Sequence, residues 1–158
     1  MIDMDQKFKM FVKDNVEYYN RAWEREYKWN WAAFFLSYFW LGYRRMYSLI
    51  FALLGINLLI IFTLCVIDFE LYNSLYDLIA IGFWIFLGLA GNKLYKRKAE
   101  KTIIHVSRLR LSEEDELTEL EKRGGASGFG VLGAIGILII FAFTVGMMIT
   151  AIEFWRYY

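Results

Sequence analysis

The chain of 158 residues is unusually apolar, with 58% hydrophobic, 20% aromatic and 22% charged residues. Soluble domains average about 45–50% apolar residues, and a domain of this size has too little interior to hide the excess. The excess must therefore face lipid or a partner. The apolar content excludes disorder, and a net charge of +1 gives no overall basic field for nucleic acid. A single cysteine excludes an intrachain disulfide, and the lack of proline favours uninterrupted helices.

The first predicted element is a cytoplasmic amphipathic helix over residues 1–28. It carries six basic and six acidic residues, so it is not a polybasic lipid sensor. We favour a helix that packs on the rest of the cytoplasmic part, and the alternative is a helix that lies on the membrane surface. Apolar residues recur along one face at steps of three and four, and they are Phe8, Phe11, Val12, Val16, Tyr19, Trp23 and Tyr27.

An aromatic segment follows over residues 29–45. Its apolar stretch from Trp29 to Tyr43 is too short for a comfortable span, since a span needs about 20 residues. The aromatic density is typical of the membrane–water interface. We predict an interfacial or half-inserted helix, and the alternative is a true first span, which would make four. The predicted interface anchors are Trp29, Trp31, Trp40, Arg44 and Arg45, together with Trp155 near the C-terminus.

Residues 46–152 form the predicted membrane domain. Residues 46–67 carry no charge and are long enough to cross a bilayer. Residues 71–91 form the second span, which Asp77 interrupts, and residues 129–152 are the apolar part of a longer uncharged stretch. The sequence therefore predicts an all-α, polytopic membrane protein with about three transmembrane helices.

The connection over residues 93–123 is predicted to be a cytoplasmic loop of two amphipathic helices. The first is basic and continues the second span. The second is a short acidic helix that begins at Ser112, whose spacing to Asp115 is that of a capping box. We expect the acidic helix to fold back against the basic one. After the last span, residues 153–158 form an outer aromatic tail.

The distribution of basic residues predicts the orientation. Lysine and arginine are retained on the cytoplasmic side of a membrane. Arg44 and Arg45 precede the first span, basic residues follow the second, and the turn between these spans holds only Asp68 and Glu70 as charged residues. We therefore expect the N-terminus inside and the C-terminus outside. A fourth span would conflict with this charge pattern.

Asp77 is the candidate intramembrane polar residue, with Asn57 as its neighbour. An acidic side chain within a span is costly and usually faces the bundle interior or water. Asp77 lies roughly 9 Å from the outer end of its span, and Asn57 lies near the middle of the span before it. A proton or cation site is the functional interpretation. We favour the alternative, an acid that reaches the outer headgroup layer or hydrogen-bonds to Asn57 for packing.

Small residues near the start of the last span are predicted to form a helix–helix interface. Small residues at every fourth position let two helix backbones approach closely. The interface lies either within the chain or between copies of it. A phosphate-binding loop is excluded because its lysine and its strand–helix context are missing. The predicted packing residues are Gly124, Ala126, Gly128, Gly130 and Ala134.

No combination of residues indicates an active site. His105 is the single histidine, and no other ligand is spaced to complete a metal site with it. No Ser–His–Asp or Cys–His set can be assembled with any specificity. We therefore expect no enzymatic activity, no catalytic residue, no metal and no cofactor.

Two blocks of sequence carry a family resemblance. They are Asn30–Phe35 with its continuation Phe39–Tyr47, and Gly88–Tyr95, with a looser continuation at Gly124–Gly125. Over residues 28–135 they resemble the YigF-like family of small bacterial inner-membrane proteins, a family of unknown function. That family often has Gly-Pro where this chain has Ser37-Tyr38. The resemblance implies a bacterial cytoplasmic membrane, a handful of helices, no established enzymatic activity and no catalytic residues to carry over.

These features together predict a non-enzymatic function. We expect an oligomerising or accessory component of a membrane assembly, with the glycine-rich start of the last span as the assembly surface. The alternative is a small transporter or channel that uses Asp77. The expected partners are membrane lipid and either a second copy of the chain or another membrane protein, and no nucleic acid is expected.

Overall fold

Eight helices form the part of the chain that the structure, a computed structural model, describes, which is residues 3–25 and 28–157. No strand occurs within these ranges, in agreement with the all-α prediction. The helices are α1 (Met4–Val12), α2 (Val16–Glu24), α3 (Trp31–Leu36), α4 (Tyr38–Tyr43), α5 (Tyr47–Ile67), α6 (Phe69–Ser107), α7 (Glu113–Arg123) and α8 (Gly128–Tyr157).

Three of these helices, α5, α6 and α8, are long and apolar enough to cross a membrane. Their limits differ from the predicted spans because two helices continue beyond the apolar residues. The helix α6 has 39 residues and unites the predicted span 71–91 with the basic helix after it. The helix α8 continues through residues 153–157, so this part of the predicted tail is helical, and residue 158 lies outside the described residues.

The two ends of the helical bundle differ in charge. Helices α5 and α8 run in the same direction, because Gly133 near the start of α8 lies beside Tyr47 at the start of α5. At the opposite end, Arg156 Nη2 donates hydrogen bonds of 3.2 Å to the carbonyl oxygens of Cys65 and Val66. A cation is favourable at a helix C-terminus. The end where α5 and α8 begin, which also holds Lys93–Lys101 of α6, is called the basic end below.

The N-terminal segment forms two helices where one was predicted. Lys13 and Asn15 adopt positive φ values of 61° and 65°, which end α1 and precede α2. Lys, unlike Asn, rarely adopts this conformation, so the break follows from tertiary packing. The apolar stripe survives the break, because Phe11, Val12 and Tyr19 are all buried. Residues 1, 2, 26 and 27, including the Tyr27 of the predicted stripe, lie outside the described residues.

The aromatic segment also forms two helices, which we call the aromatic hairpin (α3 and α4). Ser37 separates them with a φ of 45° and a ψ of −115°. The hairpin begins at the basic end, where Asn30 contacts Asn92, and continues along α6 until the Phe34 ring lies 6.5 Å from Trp84. Eight residues of α6 correspond to about 12 Å. The segment is therefore a helical hairpin that lies against α6. It is not the single helix that was predicted, and neither of its helices is among those long enough to cross a membrane.

The acidic helix α7 packs beside α1 at the basic end. Ser112 caps it by accepting a hydrogen bond from the Asp115 amide. Its Leu120 is buried with Ile103 and Val106 of α6. Two of its carboxylates form ion pairs with α1, Lys7–Glu116 at 2.6 Å and Lys13–Glu121 at 2.5 Å. The helix folds back onto α6 through apolar contacts.

The ion pair between α1 and α7 makes stability depend on pH. The hydrogen bonds that Lys7 and Ser107 donate hold the pKa of Glu116 below its usual value of 4.5. Its stabilising contribution is therefore complete above that value and is lost as the pH falls through the lowered pKa. We expect Glu116→Gln to lower the melting temperature at about pH 7 and to have little effect at about pH 3. Glu114→Gln, at an exposed position of α7, is the control, and equal effects of the two variants at neutral pH would contradict the assignment.

Candidate functional site

Polar contacts fix the aromatic hairpin to α6 at the basic end. The backbone N–H of Asn30 donates to the Gly88 carbonyl oxygen at 2.8 Å, and the side-chain Nδ2 of Asn30 donates to Asn92 Oδ1 at 2.9 Å. Asn92 Nδ2 donates to the Lys28 carbonyl at 2.9 Å. Asn30 and Asn92 are both buried, and buried amides of this kind are costly unless they are paired. The two sequence blocks that carry the family resemblance are therefore in direct contact.

Glycines allow the hairpin to pack closely on both neighbouring helices. A Cβ added at Gly88 would lie 2.6 Å from the Trp29 ring, and one at Gly91 would lie 2.9 Å from the Ala33 Cβ. On the other side, a Cβ at Gly42 would lie 2.5 Å from the Gly130 carbonyl oxygen. Such distances leave no room for a side chain. The hairpin is therefore held between α6 and α8.

The Arg44 side chain ends the hairpin inside a cage of tyrosines. Its guanidinium carbon lies 4.9 Å from the Tyr19 ring centroid, 5.0 Å from that of Tyr95 and 5.4 Å from that of Tyr43. Arg44 is only 3% exposed, and its Nε and Nη1 atoms have no hydrogen-bond partner. Within the described residues, no carboxylate forms an ion pair with it. The cage therefore stabilises a buried cation through cation–π contacts and through the hydroxyls of Tyr19 and Tyr95, with no carboxylate among the described residues.

The Tyr19 hydroxyl of the cage does not supply a negative charge. Burial raises the pKa of Tyr19 to about 12, although the charge of Arg44 opposes that rise. The Tyr19 phenol is therefore neutral at physiological pH. Two further cations lie close to the cage, since Lys98 Nζ donates to the Arg44 carbonyl at 2.6 Å and Lys28 Nζ lies 4.3 Å from the Tyr18 ring centroid.

A cavity of about 590 Å³ opens beside this cage, and we call it the Arg44 cavity. Its volume is in the range of small-molecule sites. Lys28 and Arg44 are the charged residues that line it among those described, so its charge is positive. Its wall also includes Trp29, whose buried Nε1 donor finds no acceptor within the part of the chain that the structure describes. Toward the tip of the hairpin the wall is apolar, with Trp31 and Leu36 both largely exposed at the surface.

The predicted interface anchors divide into exposed and buried residues. Trp31 is 64% exposed and Trp155 is 84% exposed, as lipid-facing anchors would be. Trp40 and Arg44 are buried in the core of the basic end instead, because α1 and α2 cover them. The remaining two are Trp29, which is half-buried against Gly88, and Arg45, whose Nη1 donates to the Lys122 carbonyl.

The predicted small-residue ridge is only partly a helix-packing surface, and it lies within the chain. Gly130 and Ala134 of α8 meet Gly42 of α4. Gly124 and Ala126 lie in the turn before α8 and not on the helix, since Gly124 and Gly125 cross closely over Phe11. The last member of the set, Gly128, would meet nothing within 4 Å if it carried a Cβ.

A second set of small residues, which the sequence pattern did not single out, lies on the exposed outer side of α8, where Ala142 and Gly146 also border the cavity between α5, α6 and α8. Ala142, Gly146 and Thr150 line a groove of about 850 Å³, which Phe143 and Met147 border. A Cβ at Gly146 would meet nothing within 4 Å. The regular spacing of four residues could have revealed this set, but the denser glycines at the start of the span obscured it. This outer face of α8 is called the α8 groove below.

Asp77 and Asn57 face different surroundings. Asn57 is half-buried and lines a cavity of about 490 Å³ between α5, α6 and α8. Asp77 is exposed, and it does not line that cavity. No hydrogen bond joins the two side chains among the bonds of the described residues. The geometry therefore brings Asn57, and not Asp77, to the interior of the bundle.

The remaining chemistry-bearing residues are dispersed. Within residues 3–25 and 28–157, no group of three His, Cys, Asp or Glu side chains could hold a metal ion. His105 is exposed on α6, and Cys65 is buried in α5.

Comparison with known proteins identifies a family. Residues 3–101, more than half of the chain, match the family described as a protein of unknown function (DUF2628). No curated protein and no solved structure shows significant similarity to the chain. The chain therefore belongs to the DUF2628 family. The match begins and ends earlier than the resemblance predicted over residues 28–135. It contains every residue that lines the Arg44 cavity, and it omits α7 and α8.

Proposed function

We propose that this member of the DUF2628 family is a non-enzymatic component of a membrane assembly, in which copies of the chain join through the α8 groove. The membrane is the inner membrane of a bacterium, as the YigF-like resemblance implies. The basic end faces the cytoplasm and the C-terminus faces outward, in accordance with the distribution of lysine and arginine.

The observation that carries this proposal is the small-residue floor of the α8 groove. Helices in lipid gain nothing from hydrophobic burial against one another, so close backbone approach and packing hold them together. Ala142, Gly146 and Thr150 leave the α8 backbone accessible over two turns, and Phe143 and Met147 beside them provide side chains for a facing groove. A second copy of the chain offers the same surface, which a two-fold symmetric interface requires.

Gly146→Leu tests the proposed assembly. We expect the wild-type chain to form a dimer or larger oligomer in mild detergent and the variant to be monomeric, because a leucine would fill the groove. The variant fold should be unchanged, since a Cβ at Gly146 meets nothing within 4 Å. Light scattering coupled to size-exclusion chromatography measures the particle mass.

Gly82→Leu is the matched control, because Gly82 lies on α6 and is equally free of neighbours. Disulfide trapping of Thr150→Cys in a Cys65→Ser background repeats the test in the native membrane. A monomeric wild-type protein, or an oligomer that survives Gly146→Leu, would contradict the proposal.

The alternative function, a small transporter or channel that uses Asp77, has less support. Asp77 is exposed and lies outside the interior cavity, so a transported ion in that cavity would meet Asn57 instead. A flux across liposomes that Asp77→Asn abolishes would favour this alternative over the proposed assembly role.

A further inference from the structure

Among the described residues, no carboxylate forms an ion pair with the buried guanidinium of Arg44. Buried charges in proteins are ordinarily paired, because the loss of hydration is costly. Arg44 is 3% exposed, its Nε and Nη1 have no partner among the described residues, and the phenol of the neighbouring Tyr19 is neutral. Cation–π contacts stabilise the charge but do not supply acceptors for the N–H groups at Nε and Nη1. Arg44 thus presents to the cavity a cation with unused hydrogen-bond donors.

Several other polar groups of the cavity are hydrogen-bond donors or cations. Lys28 Nζ lies over the Tyr18 ring, and the buried Trp29 Nε1 donor has no acceptor within residues 3–25 and 28–157. The side-chain oxygen of Asn30 already accepts from the Ala33 amide. No aspartate or glutamate lines the cavity among the described residues. A ligand that matches this set has several acceptor oxygens and negative charge, as a phosphate group does.

The position of the cavity indicates that part of its ligand is apolar. Arg44 contacts Tyr95, one turn beyond Gly91, at which the apolar run of α6 ends. This is the level at which a headgroup would lie if α6 crosses a bilayer. From there the cavity continues toward Leu36, at the tip of the aromatic hairpin and 51% exposed. A ligand in the cavity therefore has a charged end at the basic end of the bundle and an apolar remainder at membrane depth.

We propose that the Arg44 cavity binds an anionic phospholipid, with its phosphate on Arg44 and Lys28 and its acyl chains along the outer face of α3. Arginine binds phosphate oxygens through paired donors, which a lysine cannot reproduce. The volume of about 590 Å³ accommodates a headgroup with its glycerol and the first part of the chains. The site is formed by residues 15–44, and it is independent of the proposed contact through α8.

Native mass spectrometry of the purified full chain tests this proposal. The protein is released from a mild detergent after titration with phosphatidylglycerol, phosphatidylcholine or inorganic phosphate. We expect one phosphatidylglycerol retained per chain, with at least tenfold weaker retention of phosphatidylcholine and none of inorganic phosphate. Arg44→Gln should weaken phosphatidylglycerol binding at least tenfold, and Lys28→Gln about threefold to tenfold.

Arg108→Gln is the matched control, because Arg108 is exposed on the same end and does not line the cavity. Arg44→Gln removes a core side chain, so Lys28→Gln and Leu36→Glu, at partly open positions, keep the test valid if Arg44→Gln does not fold. Equal retention of both lipids would overturn the proposal, as would unchanged binding in Lys28→Gln and Leu36→Glu. Retention of inorganic phosphate with the affinity of the lipid would replace the lipid by a soluble phosphate ligand.

Discussion

Gly130→Leu should destabilise the chain by about 3 kcal/mol or more, because overpacking at a close backbone contact typically costs about 1–3 kcal/mol or more. A Cβ at Gly130 would lie 2.2 Å from the carbonyl oxygen of Gly42, and that oxygen belongs to the backbone and cannot turn away. The hairpin would have to separate from α8. Thermal unfolding in detergent, followed by circular dichroism, measures the loss.

The control for this experiment lies on the same helix. Gly136→Leu places an identical side chain six residues further along α8, where nothing lies within 4 Å. The helix propensity gained from glycine to leucine is the same in both variants, about 0.5–1 kcal/mol. A melting temperature of Gly130→Leu equal to that of Gly136→Leu would show that the contact between α4 and α8 does not hold the hairpin.

This contact also shows where the sequence was informative and where it was not. Small residues at a spacing of four predicted close packing, and the structure has such packing at Gly130 and Ala134. The spacing could not identify the partner, because Gly42 lies almost ninety positions earlier in a segment with no such pattern. The sequence thus predicts the kind of contact, and the fold decides between a contact within the chain and one between chains.

The break in the aromatic hairpin has a similar explanation. Glycine accepts a positive φ readily and proline stops a helix, so the Gly-Pro that is frequent in the YigF-like family would have predicted a turn. Here Ser37 takes the positive φ of 45° at that position. Serine followed by tyrosine carries no such signal, and the hairpin therefore resembled one short helix. The hairpin packs between α6 and α8, and this tertiary packing imposes the turn at Ser37, which local propensity does not favour.

The three long helices were predictable because their signal is local. An apolar run of sufficient length specifies a candidate span without knowledge of its neighbours, and α5, α6 and α8 all contain such a run. The Arg44 cage was not predictable in this way. It combines Tyr19, the adjacent Tyr43 and Arg44, and Tyr95 from three parts of the chain. An arginine beside an apolar run is more often a headgroup anchor.

Asn92→Leu should lower the free energy of unfolding by about 2–3 kcal/mol, because it leaves buried donors and acceptors without partners. Asn92 Oδ1 accepts from Asn30 Nδ2, and Asn92 Nδ2 donates to the Lys28 carbonyl. A leucine of similar volume satisfies neither group. Asn73→Leu, at an exposed position of α6, is the control and should change stability little.

A double-mutant cycle with Asn30→Ala separates this bond from general packing. If the Asn30–Asn92 hydrogen bond carries the effect, the two substitutions together cost less than the sum of their separate effects, with a coupling of about 1 kcal/mol. The same variants bear on the Arg44 cavity, because Asn30 and Lys28 both line it and Asn92 fixes the backbone between them. Additive effects would mean that the side-chain bond between Asn30 and Asn92 does not hold the hairpin to α6, which leaves the backbone bond from Asn30 to Gly88 and the close glycine contacts in that role.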